Sequence, residues 1–349
     1  MNNPFTLTFG KQPQQFVPRI QITETVIRSF SQQNPPNQVF IITGVRGSGK
    51  TVMLSSFTSY FKAQKDWVVV NLRPDGDLLQ DFAAKLYDES SMTEIFRNAK
   101  ISLSNFGIGV EISGSTPINS IETAITRMLK KTQEKNKRVL IAIDEITNTE
   151  TVRAFASVFQ LLLREDLPVY LLMTGLPENV DLLQNNNVLT FLYRAPKMFL
   201  GPLNLSYISS IYNKSIPNIT EADANEMAII TKGYPYAFQL LGYFTCENNG
   251  DYHSAEGECK LYLEEYVYEK IWAELSPVSR QILYETAKSE TGQIKEIREK
   301  LNIKPNQISP YRDKLIRKGI ISGEDFGKIK FMLPYFSEFV VRKYSAMEL

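Results

Sequence analysis

Residues Gly44 to Thr51 read G-V-R-G-S-G-K-T and match the spacing G-x-x-x-x-G-K-[ST] at every defined position. No other stretch of the chain narrows its possible folds so far. The preceding run, Val39-Phe40-Ile41-Ile42-Thr43, has the apolar character of a buried strand, and Val52 to Lys62 reads as a helix. A strand, a glycine-rich turn and a helix in that order predict a phosphate-binding loop, the Walker A motif. Glycine lets successive N–H groups turn inward around phosphate oxygens. The helix that follows aims the positive end of its dipole at the same place. In this reading Gly44, Arg46, Gly47, Ser48 and Gly49 form the cradle. Lys50 reaches the β- and γ-phosphates and Thr51 holds Mg²⁺, so ATP and Mg²⁺ are the expected cofactors.

A second acidic signal lies about ninety residues downstream, where Arg138-Val139-Leu140-Ile141-Ala142-Ile143 runs into Asp144-Glu145. Ligands of parallel sheets bind at the carboxyl ends of the strands. This Walker B pattern makes Asp144 a Mg²⁺ ligand and Glu145 the group that polarises an attacking water. The competing reading of Asp-Glu after a strand is a helix start. The pair favours hydrolysis over phosphoryl transfer to a small metabolite. Thr174 ends another apolar run, Pro168 to Thr174. Its hydroxyl is either a contact to the γ-phosphate or the attacking water, or a cap for the turn that follows.

A chain of 349 residues predicts two or three domains. Net charge is only +1, which excludes polyanion binding by bulk charge. The charge is uneven, however. From Ser276 onward there are 14 Lys and Arg against 9 Asp and Glu, a net of +5, and the remainder carries −4. A basic tail on a slightly acidic body points to nucleic-acid contact. His253 is the single histidine, so histidine-based acid–base or nucleophilic catalysis is not expected. Cys246 and Cys259 lack zinc-ligand spacing and read as intracellular free thiols, with a disulfide as the alternative. The start of the chain lacks a signal-peptide pattern, and no apolar run approaches the ~20 residues of a membrane span. A cytoplasmic protein with no membrane partner is expected.

Apolar runs alternating with helical patterns predict an α/β fold with a parallel sheet covered on both faces. Residues 1–202 are expected to hold an N-terminal arm and the ATPase core, 203–275 a helical lid, and 276–349 a winged helix-turn-helix. Within the core, Ile101 to Ser113 reads as an inserted hairpin. In the lid, Asn248 to Glu258 reads as a loop. In the last segment, Pro277–Ser289, Gln293–Leu301 and Asn306–Lys318 read as helices, followed by strands Ile320–Ser322 and Lys328–Phe331. Its third helix carries Arg312, Lys314, Arg317 and Lys318, and its wing carries Lys328 and Lys330. A basic recognition helix beside a basic wing suits duplex DNA. The bland alternative is a solvated face on an intramolecular lid or protein dock.

In this order of motifs the chain resembles the AAA+ superfamily. It looks most like the branch of origin-recognition initiators, archaeal-type ATPases and STAND signalling ATPases. Asn3-Pro4-Phe5, Thr8-Phe9-Gly10 and Phe16-Val17-Pro18-Arg19 are similar to the start of a bacterial family of ATP-binding proteins. Gly233-Tyr234-Pro235-Tyr236 with Gln239-Leu240-Leu241-Gly242 resembles their lid motif. The resemblance implies that Val17 and Arg19 lie near the adenine, with Pro18 where the family often has glycine. It implies that Pro235 packs on the base. It makes Arg194 a candidate arginine finger acting in trans, which requires a homo-oligomer. The usual lid arginine is missing, since no arginine lies between Arg194 and Arg280. Two functions follow as expectations. One is an ATP hydrolase, slow or partner-stimulated, that acts on DNA in initiation, transposition or maintenance. The other is a STAND-like signalling or defence ATPase whose winged helix clamps nucleotide or docks a protein.

Overall fold

The computed structural model of the chain describes residues 3–8, 13–109, 117–185, 190–324 and 327–346. The chain forms two compact units. One comprises Arg19–Thr43 and Lys50–Phe199, and the other Met1–Pro18, Gly44–Gly49 and Leu200–Leu349.

The first unit is α/β. Its elements are α1 (Ile20–Ser31), β1 (Val39–Thr43), α2 (Lys50–Lys62), β2 (Trp67–Leu72), α3 (Leu78–Tyr87), α4 (Thr93–Asn98), α5 (Ile121–Glu134), β3 (Arg138–Ile143), α6 (Glu150–Arg164), β4 (Val169–Gly175), α7 (Pro177–Gln184), α8 (Thr190–Tyr193) and β5 (Lys197–Phe199). The strands form one parallel sheet in the order β2-β3-β4-β1-β5. Every residue of β1 and β4 is buried. Continuous apolar strands of this kind require cover on both faces. On one face Phe30 and Phe61 bring α1 and α2 against Phe40, Trp67 and Tyr170 in a chain of ring contacts. On the other, Ile41, Ile141 and Leu171 share a core with Phe82 of α3, Ile125 of α5 and Phe155 of α6. The helix starts are marked in the sequence: Asp77, Ser120 and Thr149 each accept a backbone N–H of the following turn.

The expected hairpin is corrected. Residues 101–109 contain one 3₁₀ turn, Ser104–Phe106, and no strand, while 110–113 lie outside the described residues. Ile101, Leu103 and Ile108 are buried in the core of the unit instead of alternating across a ribbon. Their spacing imitates a strand because each fills the core from an irregular loop.

The second unit is helical. It contains α9 (Leu205–Ser215), α10 (Glu221–Ile230), α11 (Pro235–Glu247), α12 (Tyr252–Leu263), α13 (Glu269–Ala273), α14 (Pro277–Lys288), α15 (Ile294–Lys300), α16 (Pro305–Arg317) and α17 (Phe336–Ser345). A π-turn at Glu264–Tyr268 joins α12 to α13. The expected loop at 248–258 is thus mostly helix. Asp251 caps it by accepting from the Ser254 N–H at 3.2 Å, and Tyr252, Ala255 and Cys259 supply a buried face. After α16, Ile321 bridges Phe331 and Lys328 bridges Gln293, both antiparallel. The Ser322 N–H donates to Lys330 O and the Ile329 N–H to Gly292 O, each at 2.8 Å. Residues 325 and 326 at the tip lie outside the described residues, as do Phe9 and Gly10 of the N-terminal motif.

The N-terminal arm belongs to this helical unit. Phe5 is 3% exposed and packs against Tyr212 and Phe238. A Cβ on Gly242 would lie 2.7 Å from the Phe5 ring, so the glycine is what admits it. The Thr6 N–H donates to Gln239 Oε1, and Gln239 Nε2 donates to Gln15 O. No helix among the described residues is long and apolar enough to cross a membrane.

Candidate nucleotide site

In the α/β unit, β4 lies between β3 and β1, so the carboxyl ends of all three meet at one edge of the sheet. Ile143 pairs with Met173, and Thr43 pairs with Gly175. The Thr43 hydroxyl also donates to Gly175 O at 3.2 Å, which pins the end of β1 to β4. Asp144 leaves β3 half-buried and Glu145 follows it, exposed. Glu145 has φ +55, the left-handed region that side chains other than glycine avoid. Such a residue costs about 1–3 kcal/mol and persists only where its surroundings hold it. Here its N–H donates to Asp144 Oδ1 and to Thr174 Oγ1, both at 3.1 Å. The Thr174 hydroxyl in turn donates to Asp144 Oδ1. The next amide, Ile146 N–H, donates to Thr174 O at 2.8 Å. Asp144, Glu145 and Thr174 are therefore one hydrogen-bonded cluster.

Lys50 opens α2 at 8% exposure, and Thr51 follows half-buried in the first turn. A lone hydroxyl and a carboxylate are hard oxygen donors, and Mg²⁺ is held in this way with water and phosphate oxygens completing six ligands. The donor chemistry of Thr51 and Asp144 fits Mg²⁺. No cluster of three or more His, Cys, Asp or Glu suited to a metal occurs among the described residues. Arg19 is half-buried, and burial lowers its guanidinium to about 10. Arg194 is exposed after α8, next to Tyr193, whose side chain is 71% exposed.

In the helical unit, the loop segment Gly44–Gly49 has its own partners. Gly47 and Gly49 have φ +70 and +88. A Cβ on Gly44 would meet Ser48 Oγ at 2.5 Å, and one on Gly47 would meet the Tyr234 hydroxyl at 2.1 Å. Nothing lies within 4 Å of the corresponding position on Gly49. Both the positive φ and the close approach at Gly47 require glycine. The Tyr234 hydroxyl donates to Arg46 O at 2.6 Å. Burial pushes its pKa well above the ordinary phenol range, so it remains a donor. Arg46 Nη2 reaches Glu274 Oε1 at 2.6 Å, and Lys318 Nζ reaches Glu274 Oε2 at 3.5 Å. Val45 occupies the space above Gly319, where a Cβ would come within 2.1 Å of Val45 Cγ1. Val17 is buried at 5%, and Pro235 opens α11 half-buried.

Six basic residues are expected to meet DNA, and the structure separates them. Arg317, Lys328 and Lys330 are exposed. Arg312 and Lys314 are half-buried on α16. The Lys318 side chain is only 10% exposed and is drawn to Glu274. The sequence reading did not single out Glu274 or the hydroxyl of Tyr234. The Gly-Tyr-Pro motif flagged the position of Tyr234. Glu274, near the end of a charged helix, carries no local signal.

The arrangement of the parallel sheet and its helices is a fold also found in solved Walker-type ATPases. It is similar to a Walker-type ATPase of Pyrococcus abyssi, with TM-score 0.64 and 17% identity over 97% of this chain and 99% of that one. It is similar to the ORC2 protein of Aeropyrum pernix, solved in ADPNP–ADP complexes, with TM-score 0.58 and 13% identity over 95% and 97%. Cdc6p of Pyrobaculum aerophilum gives TM-score 0.51 and 14% identity over 100% and 99%. A family model described as mitochondrial ribosomal death-associated protein 3 matches residues 19–101. One described as a domain of unknown function (DUF8462) matches residues 265–340. No curated protein matches the chain by sequence.

Proposed function

We propose that the chain is a Mg-ATP-dependent molecular switch that hydrolyses ATP, slowly or under stimulation by a partner, and acts on double-stranded DNA. The observation that carries the nucleotide half is the Asp144–Glu145–Thr174 cluster at the carboxyl edge of a parallel sheet. That edge is where such sheets bind ligands, and the complete phosphate-loop motif follows β1 directly. Asp144 and Thr51 are the candidate Mg²⁺ ligands, Glu145 the candidate base, and Lys50 the candidate phosphate cation. Bound Mg²⁺ would neutralise charge on the β- and γ-phosphates. Arg194 is the candidate finger in a homo-oligomer, and its exposure beside Tyr193 suits a role outside its own subunit. The free thiols Cys246 and Cys259 suit a reducing, cytoplasmic setting.

The DNA half rests on α16 and the bridged hairpin read as a winged helix. Arg317, Lys328 and Lys330 present exposed charge there, in a segment of net +5. Phosphate contacts of this kind position a protein without reading sequence. A specific observation favours the second, STAND-like reading. Lys318 and Gly319, at the end of α16, engage the phosphate-loop segment through Glu274 and Val45. A C-terminal segment held this way suits a nucleotide clamp.

Calorimetry and anisotropy test both halves. ATP binding by the wild type and its loss in Lys50→Ala, with the fold intact, is the expected nucleotide result. Equal affinity in the two proteins overturns it. Labelled duplex should bind at low salt and release steeply as salt rises, because each neutralised phosphate frees counterions. Charge reversal of Arg317, Lys328 and Lys330 should weaken all duplexes alike. No binding at low salt, with or without ATP, selects the signalling reading.

A further inference from the structure

We infer that Tyr234 is a positioning residue for the phosphate loop: its hydroxyl holds the Arg46–Gly47 peptide so that the Gly47 N–H faces the nucleotide phosphates. The inference rests on the proposed ATP site. Tyr234 is 4% exposed, and its hydroxyl donates to Arg46 O at 2.6 Å. A peptide unit is planar, and in the trans form its C=O and N–H point in opposite directions. No peptide bond among the described residues is cis. The hydrogen bond that fixes the direction of Arg46 O therefore also fixes that of the Gly47 N–H, on the side away from Tyr234. Among the described residues, no group accepts from that N–H.

The loop is held at this point and open beyond it. A Cβ on Gly47 would meet the Tyr234 hydroxyl at 2.1 Å, whereas nothing lies within 4 Å of the same position on Gly49. Tyr234 is itself fixed from several directions. It precedes Pro235 at the start of α11, and its N–H donates to Thr231 O at 2.8 Å. The two residues before it, Lys232 and Gly233, are both left-handed, with φ +50 and +72. Gly233 O accepts from the Leu203 N–H at 2.7 Å. Lys232 Nζ donates to Phe331 O at 3.0 Å and to Leu333 O at 3.4 Å. One well-anchored turn therefore carries the hydroxyl to the loop. An N–H already aimed before the phosphate arrives need not be ordered on binding, and that preorganisation strengthens binding.

The experiment compares the wild type with Tyr234→Phe, which keeps the ring and removes the hydroxyl. ATP affinity is measured by calorimetry, with adenosine and tripolyphosphate as competitors. Adenosine lacks phosphate and reports base and ribose contacts alone; tripolyphosphate reports the loop alone. Tyr234→Phe should bind ATP roughly tenfold more weakly, the scale of one buried hydrogen bond. Tripolyphosphate should weaken by a similar factor, and adenosine should not change. Hydrogen exchange on nucleotide-free protein is the second readout. The Ser48 N–H, which closes the loop turn on Val45 O at 3.2 Å, should exchange faster in the variant. ATP affinity equal to that of the wild type would reduce Tyr234 to packing and overturn the inference. Weakening of ATP and adenosine by one common factor would put the effect on the base or the fold and overturn it too. A wild type that binds no ATP would overturn the ATP reading and the inference with it, a result distinct from either.

Discussion

Arg46 in the Gly44–Gly49 loop segment and Glu274, both within the helical unit, form an ion pair at 2.6 Å, and the second oxygen of Glu274 faces Lys318. One carboxylate therefore holds two cations to which sequence reasoning assigned separate tasks, phosphate binding and DNA binding. Arg46 and Glu274 are 35% and 38% exposed, so solvent screens the pair. Glu274→Gln should change the free energy of urea unfolding by less than about 1 kcal/mol. It should also remove a negative charge from beside Lys318, raising low-salt affinity for duplex DNA. Tighter DNA binding supports the DNA reading. Unchanged DNA behaviour with faster nucleotide exchange supports the clamp.

Glu145→Gln keeps the shape of the side chain and removes the base. Its backbone is already left-handed and held by Asp144 and Thr174, so the substitution leaves the cluster in place. ATP should still bind, and steady-state turnover should fall at least ~100-fold, the scale of a lost general base. Wild-type turnover in this variant would return Glu145 to the role of a helix-start residue.

With Arg194 as the finger of a homo-oligomer, Arg194→Ala should retain ATP binding and lose turnover, since exposure after α8 leaves the arginine open to a neighbouring subunit. Mixed with Glu145→Gln, it should recover part of the activity through interfaces that pair an intact base with an intact finger. Turnover independent of protein concentration, in a monomer by light scattering, would exclude the finger.

The two thiols should resist alkylation in the native protein. Burial pushes Cys259 up to about 12 and Cys246 up to about 11. Only about one Cys246 thiol in a thousand is then thiolate at pH 8, and the thiolate is the reactive form. Iodoacetamide should label both readily in denaturant and scarcely without it. The sign of the linked effect follows. The folded thiol of Cys259 is raised above its unfolded value near 9, so its contribution to stability is complete below pH 9. That contribution is lost as pH climbs from 9 toward 12. Melting temperature should decline less steeply over that window in Cys259→Ala than in the wild type.

The sequence by itself determined the strand, glycine-rich turn and helix over residues 39–62 and the strands over 138–143 and 169–175. These are local signals: glycines at fixed spacing, apolar runs of strand length, and capping residues such as Asp77 and Thr149. Periodicity failed at residues 101–109, where apolar side chains reach the core from a loop, and at Asn248 to Glu258, where polar residues disguise a helix with one buried face. Only the tertiary structure decided that Thr174 spends its single hydroxyl hydrogen on Asp144, and that Glu274 joins Arg46 to Lys318. Those pairings span 30, 228 and 44 positions of chain. No local pattern encodes them, because a hydrogen bond or ion pair depends on where packing carries each side chain, and packing is a property of the whole fold.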